Sequence, residues 1–332
     1  MYLSRWCRSA AFTKANSTII TRHASSQPRS RIHLPPPFPV IESCPLPTCA
    51  CRPAPTNLDI DREHSLNGTM AVYAEQVLVS TGRDDWKSRI EEEDEADFVR
   101  ELKGLLGRGG KFCDPYYNIA LTNSSFSPTD PSSGTSAYLL PSFLYVPAIP
   151  TSKSSIENFV KAFLQPADLH NTLNVLSPEQ KKLLTGDPSL QQQFLKVVDV
   201  DDILVLICGH NGRDRRCGIM GPLLRSEFEE KLRMKGITPP TGTPVQGPHD
   251  KMVHSARVGL ISHIGGHKFA GNVIIYLPPS MKSNALAGTG IWYGRVSPEH
   301  VEGIVNETIL GGKVISSMFR GGIKKGGELL RL

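Results

Sequence analysis

Two rounds of the same alternation run along this chain. AEQVLVS (Ala74–Ser80) and NIALTNSSF (Asn118–Phe126) are apolar runs of strand length. Between them DEADFVRELKGLL repeats Phe98, Leu102 and Leu105 at helical spacing. AYLLPSFLYVPAI, interrupted by Pro141 and Pro147, reads as a third strand of edge type. SKSSIENFVKAFL then sets Ile156, Phe159, Val160 and Phe163 on one helical face. Ser154, three residues before Glu157, predicts a capping box there.

The second round opens with DDILVLICG, a strand running into Cys208. PLLRSEFEEKLRMKG predicts a helix with Pro222 in its first turn and Gly236 as its C-terminal cap. ARVGLISH is a strand running into His263, and NVIIYLPP and GIWYGRV are two more. SPEHVEGIVNETILGG is the clearest helix, capped by Ser297, with Pro298 first and Gly311–Gly312 as its stop. Strands separated by a helix pair in parallel, so the fold class is α/β. VLVSTGRDDW matches VLICGHNGRD, each a strand followed by Gly-Arg-Asp or nearly so. The match predicts two lobes related by a degenerate duplication, the first lacking the Cys and His and serving as scaffold or docking surface. The expected divisions are a targeting segment over 1–30 and a Pro/Cys-rich linker over 31–69. An N-terminal lobe over 70–165, a polar connector over 166–198 and a C-terminal lobe over 199–332 follow.

Composition changes this picture mainly at the N-terminus. Of the 26 prolines many lie between Pro28 and Pro55, where they argue against helix and strand ladders. The formal charge is +5, but Arg5, Arg8, Lys14, Arg22, Arg29 and Arg31 precede the first acid, Glu42, and without those six the balance is −1. The body therefore gives no electrostatic case for nucleic-acid binding. An Arg- and Ser-rich, acid-free start without a continuous apolar core has the composition of a mitochondrial transit peptide. No run approaches the ~18 apolar residues of a membrane helix. The 7 cysteines are then read as ligands or thiols before disulfides, and the sequons at Asn67, Asn123 and Asn306 stay unglycosylated.

The candidate chemistry lies in CGHNGRDRRC and HIGGH. Cys208 ends one apolar strand, Cys217 follows across a Gly- and Arg-rich loop, His263 ends a second strand, and His267 follows at i+4. Sites in open sheets form at such strand ends, and glycines let the backbone approach a bulky group. Two thiolates and two imidazoles suit Zn²⁺ or an iron–sulfur cluster. Structural zinc knuckles place paired ligands two to four residues apart, closer than this Cys pair. Rieske centres mix Cys and His within each pair, which this chain does not.

Of the neighbouring residues, His210 reads as a hydrogen-bonding loop residue. Arg213, Asp214 and Arg216 shape the loop as an Arg–carboxylate pair or form a solvated turn. Gly271 and Asn272 close a turn, Trp292 and Tyr293 are core or rim, and His254 and His300 are surface residues. Cys113 reads as structural, and Cys7 leaves with the transit segment. CPLPTCAC gathers Cys44, Cys49 and Cys51, the basis of an alternative reading as a thiol oxidoreductase; flexible exposed thiols are the plainer account. No phosphate-binding loop, nucleophile elbow or pair of hydrolytic carboxylates stands out, so a hydrolase is not expected.

CGHNGRDRRCG and HIGGHKFAGN resemble the paired motifs of the sucrase/ferredoxin-like family, thioredoxin-like ferredoxins with bis-histidinyl ligation. The resemblance extends from about Cys44 to the C-terminus and includes LNGTMAVYAEQVLVSTGRDDW. It implies a thioredoxin-like fold and a [2Fe–2S] cluster, with Cys208 and Cys217 on one iron and His263 and His267 on the other. The expected function is mitochondrial one-electron transfer or redox sensing, in the matrix or the intermembrane space, with an unidentified protein donor or acceptor. Proton coupling through the two imidazoles is expected with it. A zinc-stabilised binding module and a thiol oxidoreductase remain the alternatives.

Overall fold

The computed structural model describes residues 35–245 and 255–332. The expected transit peptide with Cys7, and also His254, lie outside the described residues. β1 (Val40–Ile41) is a two-residue strand inside the proline-rich stretch. β2 (Glu75–Ser80) is buried throughout, and α1 (Asp97–Leu106) covers it with Phe98, Val99, Leu102 and Leu105. β3 (Ile119–Ser124), β4 (Thr135–Leu140) and β5 (Leu144–Ile149) follow. α2 (Lys153–Phe159) widens into a π-helical turn as far as Leu164. The connector holds α3 (Pro178–Leu184) between 3₁₀ turns and ends at β6 (Val198–Asp199).

β7 (Ile203–Cys208), α4 (Arg215–Met234), β8 (Ala256–Ile261), β9 (Val273–Leu277) and β10 (Thr289–Tyr293) build the second half. α5 (Pro298–Gly303) continues as a π helix to Leu310. Three strands close the chain: β11 (Val314–Ile315), β12 (Phe319–Lys324) and β13 (Leu329–Leu330).

All but β1 and β11 join one sheet, in the order β13-β12-β10-β9-β7-β8-β3-β2-β4-β5-β6. Each half uses the same local plan. β2 is parallel to β3 and antiparallel to β4, which is antiparallel to β5; β7, β8, β9 and β10 repeat these senses. This is the mixed, thioredoxin-like arrangement the resemblance implies. The two lobes are not separate bodies: Pro36–Leu332 is one compact unit. They meet edge to edge where Ser124 pairs with Ile261, and hydroxyls complete the seam. Asn123 N–H donates to Ser262 Oγ, and Leu260 N–H to Ser125 Oγ, each at 2.9 Å.

Several local expectations change. AYLLPSFLYVPAI is a hairpin, because Pro141 cannot donate to a ladder and Phe143 turns the chain at φ 54°. α2 is capped by Ser152, which accepts from Ser155 N–H, and not by Ser154. α4 begins seven residues before Pro222, with Asp214 as its N-cap, and Gly236 at φ 74° follows its end as expected. The earlier start puts Cys217 on the helix, not in the loop. The proline-rich stretch is a strap laid along the second half, where β1 pairs in parallel with β11. Prolines bar long ladders there, yet side chains fix the segment, as described below. Among the described residues no helix is long and apolar enough to cross a membrane.

Candidate metal centre

Cys208 is the last residue of β7, and its N–H donates to Asn272 O at 3.0 Å. Cys217 stands in the first turn of α4. Glycines bring the two together: a Cβ on Gly221 of α4 would lie 2.5 Å from Gly209 Cα, so the helix rests directly on the chain after β7. Both thiols are buried, 1% and 0% exposed, and in hydrogen-bond contact with each other; Cys208 also contacts His263. The Cys217 thiol, donating to Cys208, holds the Cys208 pKa well below the usual thiol value, helped by His263. The same bond pushes the Cys217 thiol upward, and burial adds to it.

His263 and His267 leave β8 in a tight loop in which Gly265 and Gly266 take φ of 84° and 74°, values that favour glycine. Their rings lie 5.3 Å apart between centroids. The Nδ1 atom of each ring is buried without a hydrogen-bond partner. Buried polar atoms are nearly always satisfied, and an exception calls for a missing water, ion or ligand. The His267 side chain is 44% exposed, so this donor pair opens to solvent while the thiols do not. Among the described residues no three His, Cys, Asp or Glu donors converge on one point. The donors stand instead as a thiol pair beside an imidazole pair.

Arg320 of β12 lies beneath this loop and was not singled out in the sequence. Its guanidinium donates to Gly265 O (3.2 Å), Asn272 Oδ1 (2.6 Å), Thr69 O (2.7 Å) and Thr69 Oγ1 (3.1 Å). It also lies over the Phe269 and Trp292 rings, at 5.7 and 5.6 Å from their centroids. Burial pulls its pKa down to about 10, against the favourable field of Cys208 and Cys217. The signal was available: SSMFRGGI places one arginine in an otherwise apolar run.

The first half reaches into the site through the loop that matched in sequence. His210 Nδ1 accepts from His263 N–H at 2.9 Å, and its Nε2 faces Trp86 O (3.1 Å) and Lys87 O (3.0 Å). Both ring nitrogens are thereby committed, so His210 is a hydrogen-bonding residue that sets the backbone of His263. Asp85 accepts from Gly212 N–H at 3.0 Å, and a Cβ on Gly212 would lie 2.1 Å from Trp86 O. Asp84 pairs with Arg225 of α4 at 2.7 Å.

Arg216 and Asp214 form the expected pair, with Nε–Oδ1 and Nη2–Oδ2 both 2.9 Å, and Asp214 Oδ2 stands 4.0 Å from His267 Nε2. Asn272 closes the turn by donating to Gly266 O at 2.9 Å. Trp292 and Tyr293 are core. His300 is half-buried, with Nδ1 accepting from Ser297 N–H at 3.1 Å, and not a free surface residue.

The family model described as sucrase/ferredoxin-like matches residues 66–321. A Debaryomyces hansenii protein named altered inheritance of mitochondria protein 32 is 32% identical over 291 residues, covering 85% of this chain and 95% of its own. The Meyerozyma guilliermondii protein of that name is 30% identical over 304 residues, covering 85% and 94%. Actin patches distal protein 1 of Saccharomyces cerevisiae is 34% identical over 154 residues, 44% of this chain and 42% of its own. No solved structure matches the chain.

Proposed function

The chain belongs to the sucrase/ferredoxin-like family, and from that premise we propose that it is a mitochondrial [2Fe–2S] protein for one-electron transfer or redox sensing. Cys208 and Cys217 would hold one iron, His263 and His267 the other. The observation that carries this reading is the donor set: two touching buried thiols beside two imidazoles whose buried Nδ1 atoms have no partner. Two pairs of donors suit a two-iron group better than a single ion, which needs its donors around one point. A bound [2Fe–2S] cluster supplies one-electron redox chemistry.

The residues of the chain do the rest. The core around the thiols excludes water, His210 and Arg320 fix the histidine loop, and the exposed His267 edge is the side open to a donor or acceptor protein. Neutral imidazoles leave the site less anionic than thiolates would, which favours reduction. Each imidazole also has a second nitrogen able to hold a proton, so electron uptake is coupled to protonation in this reading. The mitochondrial assignment draws on the names of the relatives and on the basic, acid-free start of the chain. Protease protection on isolated mitochondria distinguishes matrix from intermembrane space.

The test is purification without oxygen, followed by iron and acid-labile sulfide analysis and electron paramagnetic resonance of the reduced protein. Coloured protein with iron and sulfide in equal amounts is expected, with a rhombic signal that changes in His263→Cys and His267→Cys. Colourless protein carrying stoichiometric zinc would replace this reading with the zinc-stabilised module.

A further inference from the structure

The strap carries a second cluster of reactive side chains, independent of the donor set above. Cys44 is packed away: its thiol donates to His300 O, a Cβ on Gly303 would strike its Sγ, and burial raises its pKa to about 11. Cys49 and Cys51 are different. Both are half-buried and free. Lys231 of α4, only 2% exposed, donates to Cys49 Sγ at 3.1 Å and to Ala50 O at 2.8 Å, and pairs with the buried Glu227 at 3.2 Å. On the opposite side Cys49 Sγ lies 3.2 Å from Glu302 Oε2, which also takes Thr48 N–H at 2.8 Å. Arg52 completes the clasp on Glu227 and Glu230, each at 2.8 Å.

A buried lysine is costly unless its ammonium is satisfied, and here a sulfur is one of its three partners. Burial would neutralise Lys231, but its bonds to Cys49 and Glu227 outweigh that and keep it charged. Cys49 Sγ thus sits between the Lys231 ammonium and the Glu302 carboxylate, which accepts from its thiol. Cys51 follows two residues on, and the chain bends at Thr48 and Cys49. In extended chain two such Cα atoms stand about 7 Å apart, near the upper limit for a disulfide.

We propose that Cys49 and Cys51 form a second redox centre, a dithiol that a low-molecular-weight disulfide converts reversibly to a Cys49–Cys51 disulfide, with Cys49 as the attacking sulfur. The Cys49 thiolate attacks one sulfur of the small disulfide, whose S–S bond breaks and releases one thiolate that takes up a proton. Cys51, losing its proton to water, then attacks Cys49 Sγ in the mixed disulfide and expels the second small thiol. Two protein thiols are oxidised and one small disulfide is reduced to two thiols. A disulfide across one intervening residue is strained and hence easily reduced, which suits a reversible switch. Its formation takes Cys49 off Lys231 and Glu302 and frees the clasp that ties the strap to α4 and α5.

The test treats the full chain, metal content intact, with glutathione buffers of rising oxidised fraction near neutral pH, then acid quench, alkylation and peptide mass spectrometry. A Cys49–Cys51 disulfide is expected, and Cys51→Ser should instead accumulate a glutathione adduct on Cys49. Lys231→Met should slow modification of Cys49 on the order of tenfold. Should that variant fold poorly, Cys49→Ser supplies the comparison, since Cys51 should then take up glutathione more slowly than Cys49 does in Cys51→Ser. No Cys49–Cys51 disulfide at any buffer ratio, or a Cys51 adduct in Cys49→Ser that forms as fast as the Cys49 adduct in Cys51→Ser, would overturn the proposal. Iron content and visible absorption, followed in the same samples, report separately on the cluster reading.

Discussion

Arg320 and Lys231 are the side chains on which the two candidate centres lean most heavily. Arg320→Met would strand Gly265 O, Thr69 O and Asn272 Oδ1 without their donor. The expected loss is about 2–4 kcal/mol of unfolding free energy, read as a lower urea midpoint. Loss of a cation near the thiols should also move the reduction potential of metal-loaded protein to a more negative value. An unchanged urea midpoint would mean that the guanidinium holds nothing in place. At this scale Cys208, Cys217, His263 and His267 were legible because each stands just after an apolar strand or across a short loop from one. Arg320 left a signal, a lone arginine in SSMFRGGI, but the buried Lys231 did not, because a lysine in RSEFEEKLRMKG reads as solvated charge. Only the tertiary fold brings Cys49 to Lys231, 182 residues away.

The central element is α4, whose position decides whether Cys217 reaches Cys208. Gly221→Ala would drive a Cβ to within 2.5 Å of Gly209 Cα, and neither backbone can yield without moving the helix. Overpacking of this kind costs about 1–3 kcal/mol. The substitution should therefore lower both thermal stability and the iron retained per chain, whereas Gly236→Asn, at the helix end where a Cβ meets nothing, should leave iron content unchanged. The pattern of the strands β2, β3, β7, β8, β9 and β10 was readable from their apolar runs. The start of α4 was not, because Pro222 imitates a first-turn proline while Asp214 actually caps the helix. The C-terminal strands were missed because GGIKKGGELL carries too few apolar positions to announce a ladder, and its pairing depends on β10 being beside it.

For the whole molecule the two halves form one working unit. Residues 199–332 alone would lose the Trp86 and Lys87 carbonyls that orient His210, the Asp85 contact to Gly212, and the seam bonds from Asn123 and Ser125. Tyr276 would lose Gln76 and Tyr73, its buried partners across the halves. The isolated half is expected to aggregate, or to bind iron in well under stoichiometric amount, by metal analysis after gel filtration; a soluble, fully loaded fragment would show the first half to be dispensable. The duplicated look of the sequence made two lobes legible but concealed their union, since a seam resting on one paired residue and a few serines leaves no hydrophobic signature. The margins of the sheet have a consequence of another kind. β6 and β13 are two-residue strands, and where β6 stops covering β5 the border carries Pro147, which has no amide to offer. Short borders are how natural sheets escape templated stacking into fibrils, and this chain should remain dispersed under the crowding of a protein-dense organelle.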